Sequence, residues 1–244
     1  MTLFVAPHSP SETLRQRIEQ VVRGRSANTT RSKQVPIGPS EAGDACLRKL
    51  AYRKANVPKQ TESSDPWPSV SGTAIHAWLA DAFGKDNNSD WLIEHRVTIT
   101  ETMAGTVDLF DISNGIVIDH KCVGASSMKK VKAEGPSEQQ IAQIMLYGFG
   151  LQQAGYEVKS VALAFYPLGG MLTGLHVWLA DYDFTIAEKA IDRLDNLDKL
   201  LALLSVEQYP ERWAAIPASP SWLCGYCPFH IEDSQDLGTG CPGK

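Results

Sequence analysis

The 244-residue sequence has no apolar run long enough to cross a bilayer, and no hydrophobic stretch near its N-terminus of the kind that secretory signals carry. We therefore expect an intracellular, cytoplasmic protein without a membrane partner. Positive charge is also scarce: the formal net charge is −5, which argues against a protein that coats nucleic acid non-specifically. Two local basic tracks remain, each first interpreted as a solvated face: Arg23, Arg25, Arg31 and Lys33, then Lys129, Lys130 and Lys132.

Cysteine is scarce as well, and a reducing compartment disfavours disulfides among the five that occur. Metal binding is therefore their first explanation. Cys224-x-x-Cys227 can offer two thiolates to one centre, and Cys241 follows it. Cys46 is the natural fourth ligand, so the centre would join the start of the domain to its end as a structural staple. Four thiolates suit either a 4Fe-4S cluster or tetrahedral zinc, with His230 as a substitute ligand, and the spacing leaves these alternatives open. Cys122, on the opposite face of its strand from Lys121, is interpreted as a small buried hydrophobe.

The pattern of apolar residues predicts one α/β domain, a mixed sheet flanked by helices, at residues 37–244, with an N-terminal arm at 1–36 and a C-terminal cysteine segment at 220–244. Ser137 and Gln140 have the spacing of a helix capping box. The helix at 72–84 is expected to bury a stripe made of Ile75, Trp78, Leu79, Ala82 and Phe83. Helices are predicted near 11–23, 39–54, 72–84, 137–154 and 184–204, and strands near 91–100, 104–112, 115–123, 158–166 and 171–179.

Asn114-Gly115 is a strong hairpin signal between the second and third strands. A two-residue type I′ turn there would set Asp108 opposite Lys121. Asp108 and Asp119 would share a face of the sheet, about 5 to 8 Å apart at the backbone, so that both carboxylates could reach one cation.

Two buried carboxylates repel each other unless a divalent ion lies between them. Hard oxygen ligands favour Mg²⁺ or Mn²⁺, whose bound water can attack a phosphate, and Lys121 would position that water or stabilise charge on a phosphoryl oxygen. The alternative is a buried ion pair between Lys121 and an aspartate.

These residues resemble the active site of the PD-(D/E)xK nuclease superfamily, here "GTVD" followed by "IDHK". "GTAIH" resembles the Gly-x-x-x-His motif of RecB-type nucleases, and "QIMLY" matches their Gln-x-x-x-Tyr motif. The cysteine positions are similar to those of the iron-sulfur exonucleases associated with CRISPR systems and of related phage proteins. The resemblance runs from about residue 40 to 241 and implies a restriction-endonuclease-like fold.

Carried over by position, the resemblance implies that His76, Asp108 and Asp119 ligate the Mg²⁺ or Mn²⁺ ion, with the backbone carbonyl of His120 beside them. It also implies that Lys121 is the catalytic lysine. Gln143 and Tyr147 would hold the DNA and the site geometry from one face of a helix. For Cys46, Cys224, Cys227 and Cys241 it favours an iron-sulfur cluster over zinc. Glu94, in the first strand, could contribute through water or hydrogen bonds.

The sequence therefore predicts a metal-dependent DNA exonuclease, with single-stranded ends as substrate and a 5′ to 3′ polarity implied by the resemblance. Recombination or CRISPR-type proteins are possible partners. One alternative is an iron-sulfur or zinc module that binds DNA with little cleavage, although a pure binder gains little from a costly cluster of charges. The other is a nicking endonuclease, which shares the chemistry.

Overall fold

The structure is a computed structural model, and it describes residues 10–27, 36–60, 65–86 and 89–243. A mixed sheet lies at its centre, and its five strands are β1 (Trp91–Thr98), β2 (Ala104–Asp111), β3 (Ile116–Val123), β4 (Ser160–Pro167) and β5 (His176–Asp181). They lie side by side in chain order, with β3 and β4 parallel and the other neighbours antiparallel. The predicted mixed sheet is confirmed.

Helices flank this sheet, as predicted. Within the described residues they are α1 (Pro10–Ala27), α2 (Pro39–Ala42), α3 (Leu47–Lys54), α4 (Trp67–Lys85), α5 (Ala125–Glu134), α6 (Glu138–Gln153) and α7 (Phe184–Leu204), with short 3-10 helices at Leu172–Gly174, Pro210–Ala215 and Trp222–Tyr226. None of the described helices combines the length and apolar character that crossing a membrane requires. The predicted arm lies partly outside the described residues, at 1–9 and 28–35, so the boundary at residue 36 stays a prediction.

Helix α6 is the buried helix of the domain. The predicted capping box forms at its start: the Gln140 amide donates to Ser137 Oγ at 3.3 Å, and the Ser137 amide donates to Gln140 Oε1 at 3.0 Å. Ile144, Leu146 and Leu151 are fully buried in the core that α6 forms with α7 and the sheet. This rigid position matters for the site, because α6 also carries the Gln-x-x-x-Tyr pair.

The turn between β2 and β3 differs from the prediction. The two strands pair Asp111 with Ile116 and Leu109 with Ile118, so the connection has four residues, 112–115, rather than two. The Asp111 carboxylate accepts hydrogen bonds from the backbone and side chain of Asn114, at 2.9 and 2.8 Å, and this stabilises the longer loop. The same register continued would set Asp108 opposite Asp119, not opposite Lys121.

Three helix predictions also need correction. The single helix expected at 39–54 is divided into α2 and α3 by the segment 43–46, in which Gly43 lies so close to α6 that a side chain there would be 2.8 Å from Ala142. Helix α4 begins at Trp67, five residues before the predicted start. Trp78, predicted to be in the core, is 68% exposed, because the buried face of α4 is narrower than the predicted stripe. Helix α5 was not predicted, since its short sequence is mostly polar.

Candidate active site

A cleft with a volume of about 820 Å³ lies between α4, α6 and strands β1 to β3. The strands supply acidic and basic side chains from the centre of the sheet, and the two helices supply polar side chains from its sides. All six catalytic or metal-binding residues predicted outside the cysteine centre line this cleft: His76, Asp108, Asp119, Lys121, Gln143 and Tyr147. The predicted residues are therefore brought together, although the predicted register was wrong. A shift of two positions leaves every side chain on its face of the sheet.

Asp119 and Lys121 form the centre of a hydrogen-bonded chain that continues onto α6. Lys121 Nζ lies 2.6 Å from Asp119 Oδ2 and donates to Gln143 Oε1 at 2.8 Å. Gln143 Nε2 lies 3.1 Å from Asp119 Oδ1 and 3.2 Å from the hydroxyl of Tyr147, one helical turn further along. Gln143 thus fixes the orientation of the carboxylate and the ammonium together.

Asp108 is held by two donors from different elements. The backbone amide of His120 donates to Asp108 Oδ2 at 2.7 Å, and His76 Nδ1 lies 3.4 Å from Asp108 Oδ1. Burial opposes ionisation of Asp108, but the hydrogen bond with His76 and the His120 amide outweigh it and lower its pKa. The same hydrogen bond raises the pKa of His76. Asp108 is therefore an anion over the whole neutral range.

Asp119 has the opposite electrostatic environment. Its side chain is almost wholly buried, and burial raises its pKa to about 6, partly opposed by Lys121 and reinforced by Asp108. Because the pKa of Asp119 lies close to neutral pH, a nearby cation would shift this acid strongly towards its charged form. Two neighbouring carboxylates with a histidine and a partly buried ammonium therefore fit a divalent ion chemically.

Glu94 lies closer to the predicted metal ligands than the sequence indicated. Within the described residues, His76, Glu94 and Asp108 are the group of three His, Cys, Asp or Glu whose ligand atoms all lie within 4.8 Å of one another. Strands β1 and β2 pair Ile93 with Leu109 and His95 with Val107, so Glu94 lies opposite Asp108. Its φ of 47° interrupts the strand in the left-handed region, a conformation that strand periodicity does not predict.

The predicted ligand set is therefore only partly assembled. His76 and Asp108 lie together with Glu94, whereas Asp119 is engaged by Lys121 and Gln143. The assignment of His76, Asp108 and Asp119 as ligands stays a prediction, as does the role of the His120 carbonyl. The ion pair of Asp119 with Lys121 is the alternative that the sequence left open.

His120 itself faces α4 with its side chain. His120 is 4% exposed as a residue, and its ring stacks on Phe83 with centroids 6.0 Å apart. Burial lowers its pKa to about 4, so it is neutral at physiological pH. Cys122, expected to be buried, is half-buried and lines the same cleft. Neither residue carries a charge into the site.

The four cysteines predicted to form a centre line one second cavity, although nearly 200 residues separate the first from the last. Cys46, Cys224, Cys227 and Cys241 all face it, together with His230. His230 and Cys241 are joined as neighbours in an isolated β-bridge. Among the described residues no three of the four sulfurs lie within 4.8 Å of one another, since only the group around His76 meets that limit. The metal centre at these cysteines, whether an iron-sulfur cluster or zinc, stays a prediction.

A mixed sheet that presents an aspartate on one strand and an Asp-x-Lys on the next, facing one cleft, defines a nuclease class of α/β protein. A sequence model of the PD-(D/E)XK nuclease superfamily matches residues 91–231, more than half of the chain, and the chain belongs to this superfamily. The predicted family is confirmed. The chain has no match among curated protein sequences.

Solved structures share this fold at low sequence identity. The alkaline exonuclease LHK-Exo from Laribacter hongkongensis, in complex with dAMP, is 12% identical over 76% of this chain and 97% of its own, with a TM-score of 0.52. The protein SSO0001 is 14% identical over 91% of this chain and 94% of its own, with a TM-score of 0.50. A phage-related exonuclease from Haemophilus somnus 129PT is 14% identical over 66% and 82%, with a TM-score of 0.46.

Proposed function

We propose that this protein is a metal-dependent DNA exonuclease that hydrolyses phosphodiester bonds from the 5′ ends of single-stranded DNA. The observation that carries the proposal is the convergence of Asp108, Asp119 and Lys121 on one cleft, within a chain of the PD-(D/E)XK nuclease superfamily. The similarity in fold to the alkaline exonuclease LHK-Exo supports an exonuclease over other nucleases.

His76, Asp108 and Asp119 would hold a Mg²⁺ or Mn²⁺ ion, which when bound supplies an activated water and neutralises charge on the phosphate. Glu94 stands next to two of these ligands and would share the site. Lys121 donates to a phosphoryl oxygen as charge develops on it. Gln143 keeps the ammonium of Lys121 in place, and Tyr147 in turn contacts Gln143, so that neither side chain has to reorganise during the reaction.

The substrate strand would continue beyond the cleft along α5. A groove shares Ser40, Lys121 and Gln143 with the active cleft and continues past Lys130 and Ser137. Lys129, Lys130 and Lys132 are exposed on the helix beside it. Lys130, which lines the groove together with Glu134 and Glu138, and its exposed neighbours on α5 would attract a phosphate backbone without reading its sequence.

The test uses single-stranded oligonucleotides labelled at the 5′ or the 3′ end, a streptavidin block at each end in turn, and circular single-stranded DNA. With Mg²⁺ or Mn²⁺ the linear strand should be shortened from its 5′ end, and EDTA should stop the reaction. A 5′ block should protect the strand. Cleavage of the circle would instead identify an endonuclease, and DNA binding without cleavage would identify a binding module.

Two substitutions with matched controls connect the activity to the cleft. Asp119→Ala and Lys121→Ala should each lower the cleavage rate by at least about 100-fold while the circular dichroism spectrum stays unchanged. Lys159→Ala and Asp181→Asn change exposed residues at other parts of the sheet and should retain activity. Full activity in either cleft variant would contradict the assignment.

We also propose that the four cysteines bind a 4Fe-4S cluster. The four cysteines line one cavity, and the similarity of their positions to those of the iron-sulfur exonucleases favours the cluster. Zinc, or His230 as a ligand, is the alternative.

The absorption spectrum and metal content of anaerobically purified protein distinguish a 4Fe-4S cluster from zinc. A broad absorption band near about 400 nm, with iron and acid-labile sulfide present in equal amounts, is expected for the cluster. Zinc without iron would support the alternative. A place in phage recombination or CRISPR-type DNA processing, with protein partners from those systems, is part of the same proposal and would be tested by co-purification.

A further inference from the structure

Arg48 is a buried cation with no carboxylate partner in the described part of the chain. Arg48 is 8% exposed, and among the described residues no Asp or Glu oxygen lies within 4.0 Å of its guanidinium. The neighbouring cations on α3 are different: Lys49 lies 2.6 Å from Asp44, and Arg53 lies 3.2 Å from Glu41. A buried, unpaired guanidinium is expensive, so its counter-charge must be sought elsewhere.

The guanidinium of Arg48 has two contacts. Its Nε donates to the carbonyl oxygen of Ile216 at 2.9 Å, which satisfies a hydrogen bond but supplies no charge. Its Nη1 lies 3.7 Å from Cys241 Sγ, across 193 positions of sequence. Of the two partners, the sulfur is the one that can become anionic. Arg48 also lines the cavity that the four cysteines share.

A metal centre bound by four thiolates is itself anionic, whether it holds zinc or a 4Fe-4S cluster. Lys49 also faces this cavity, but its charge is already matched by Asp44. The charge of Arg48, in contrast, is not matched by a carboxylate among the described residues. The position of the guanidinium on the sulfur side of the cavity therefore pairs one buried cation with one buried anion, each of which would be costly alone.

We propose that Arg48 is the positioning residue and counter-charge of the cysteine centre: it stabilises the metal-bound thiolates electrostatically and holds Cys241 towards α3. This inference depends on the proposed metal-thiolate centre, but not on which metal fills it. The charge of Arg48 is the property that the cysteine centre needs, because a neutral donor could also make the hydrogen bond to Ile216.

The experiment compares Arg48→Gln, which keeps an N–H donor without charge, with Arg48→Lys, which keeps the charge without the guanidinium fork. Arg193→Gln is the matched control. Arg193 also ties down the segment before Cys46, through the carbonyl oxygens of Asp44 and Ala45 at 2.6 and 3.2 Å, but it does not line the cysteine cavity. Iron, zinc and sulfide per chain are measured, followed by the rate of metal release to a chelator, with circular dichroism as the check on folding.

Arg48→Gln should release its metal at least about tenfold faster than the wild type, whereas Arg48→Lys and Arg193→Gln should stay within about threefold of it. Equal release from Arg48→Gln and the wild type overturns the inference. So does equal loss from the Gln and Lys variants, because charge would then not be the property that matters. If Arg48→Gln does not fold, the Arg48→Lys variant alone tests the inference. Retention of the metal by Arg48→Lys supports it, and loss of the metal contradicts it. Wild-type protein that carries no metal contradicts the proposed centre itself and is recognised before any variant is compared.

Discussion

Replacing Glu94 with glutamine should change the stability of the protein in opposite directions with and without metal. Glu94 lies opposite Asp108, and their ligand oxygens are within 4.8 Å of each other. Without a cation these two carboxylates repel. With a cation between them, both would contribute to its binding. Glutamine keeps the size of the side chain and leaves the left-handed backbone of residue 94 in place, so that the charge is the main change.

The size of the repulsion follows from that distance. At the 4.8 Å limit, two unit charges interact by at least about 0.9 kcal/mol in a medium like water and at least about 3.5 kcal/mol at the effective dielectric constant of a protein surface. Glu94 is exposed, so we take a value near the lower end, about 1 kcal/mol. For a chain of this size, that corresponds to a rise of about 2 to 4 °C in the melting temperature of the metal-free protein.

The measurement is thermal unfolding in EDTA and in MnCl₂, with Mn²⁺ affinity determined by titration calorimetry. All measurements are made at one pH, because the hydrogen bond with Asp108 raises the pKa of His76 and a change in its charge would alter the repulsion between the carboxylates. Glu94→Gln should melt higher than the wild type in EDTA and bind Mn²⁺ about tenfold more weakly, a loss worth about 1.4 kcal/mol. In saturating Mn²⁺ Glu94→Gln should melt slightly lower than the wild type, because the loss of about 1.4 kcal/mol in binding exceeds the gain of about 1 kcal/mol.

Glu101→Gln provides the control, because Glu101 is an exposed acid in the loop after β1 and does not line the cleft. It should change neither quantity. An unchanged melting temperature of Glu94→Gln in EDTA together with wild-type Mn²⁺ affinity would refute the reasoning. A lower melting temperature in EDTA would show that the carboxylate has a structural role instead.

Three further predictions concern single residues. Burial raises the pKa of Asp119 from 3.8 to about 6, so the native metal-free protein binds this proton more tightly than the unfolded chain does. The free energy of unfolding should therefore fall by up to about 3 kcal/mol as the pH rises from about 4 to about 6. Denaturant titrations over this pH range should show the fall in the wild type and not in Asp119→Asn. Gln143→Ala, which frees Lys121, should lower kcat by about tenfold or more with a smaller effect on KM, as steady-state kinetics on a single-stranded oligonucleotide would reveal. Gly43→Ala should lower the free energy of unfolding by about 2 kcal/mol, measured in urea, because its methyl group would lie 2.8 Å from α6.

The sequence predicted which residues would meet in the cleft better than it predicted how they meet. Strand alternation placed Asp108, Asp119 and Lys121 on a common cleft, and this survived the wrong hairpin register because the error was an even number of positions. The helical spacing of Gln143 and Tyr147 likewise placed both side chains towards the site. Periodicity is local, so a motif read from it depends little on distant contacts.

The features that were missed depend on contacts between distant segments or on special backbone conformations. The loop at 112–115 contains Gly115, which has a φ of 69° and passes close to the backbone of Glu157, where an added side chain would lie 2.8 Å from the carbonyl oxygen. Glu94 enters the cleft through a positive φ that is uncommon for glutamate in any strand. The exposure of Trp78 depends on which face of α4 the sheet covers. The contact of Gly115 with Glu157 and the coverage of α4 by the sheet depend on distant segments, so they leave no pattern in the neighbouring sequence.

The cysteine cavity and the active cleft are connected by one short segment of chain. Pro39 and Ser40 of α2 line the cleft, whereas Cys46, six residues after Ser40, lines the cysteine cavity. Helix α2 is held against α6 by the hydrogen bond from Gln139 Nε2 to the Ser40 carbonyl at 2.6 Å. A metal centre that ties Cys46 to the C-terminal segment therefore also fixes one wall of the cleft. Its contribution would then include the geometry around Gln143 as well as the stability of the chain, because a wall anchored at both ends keeps its position when a substrate strand enters.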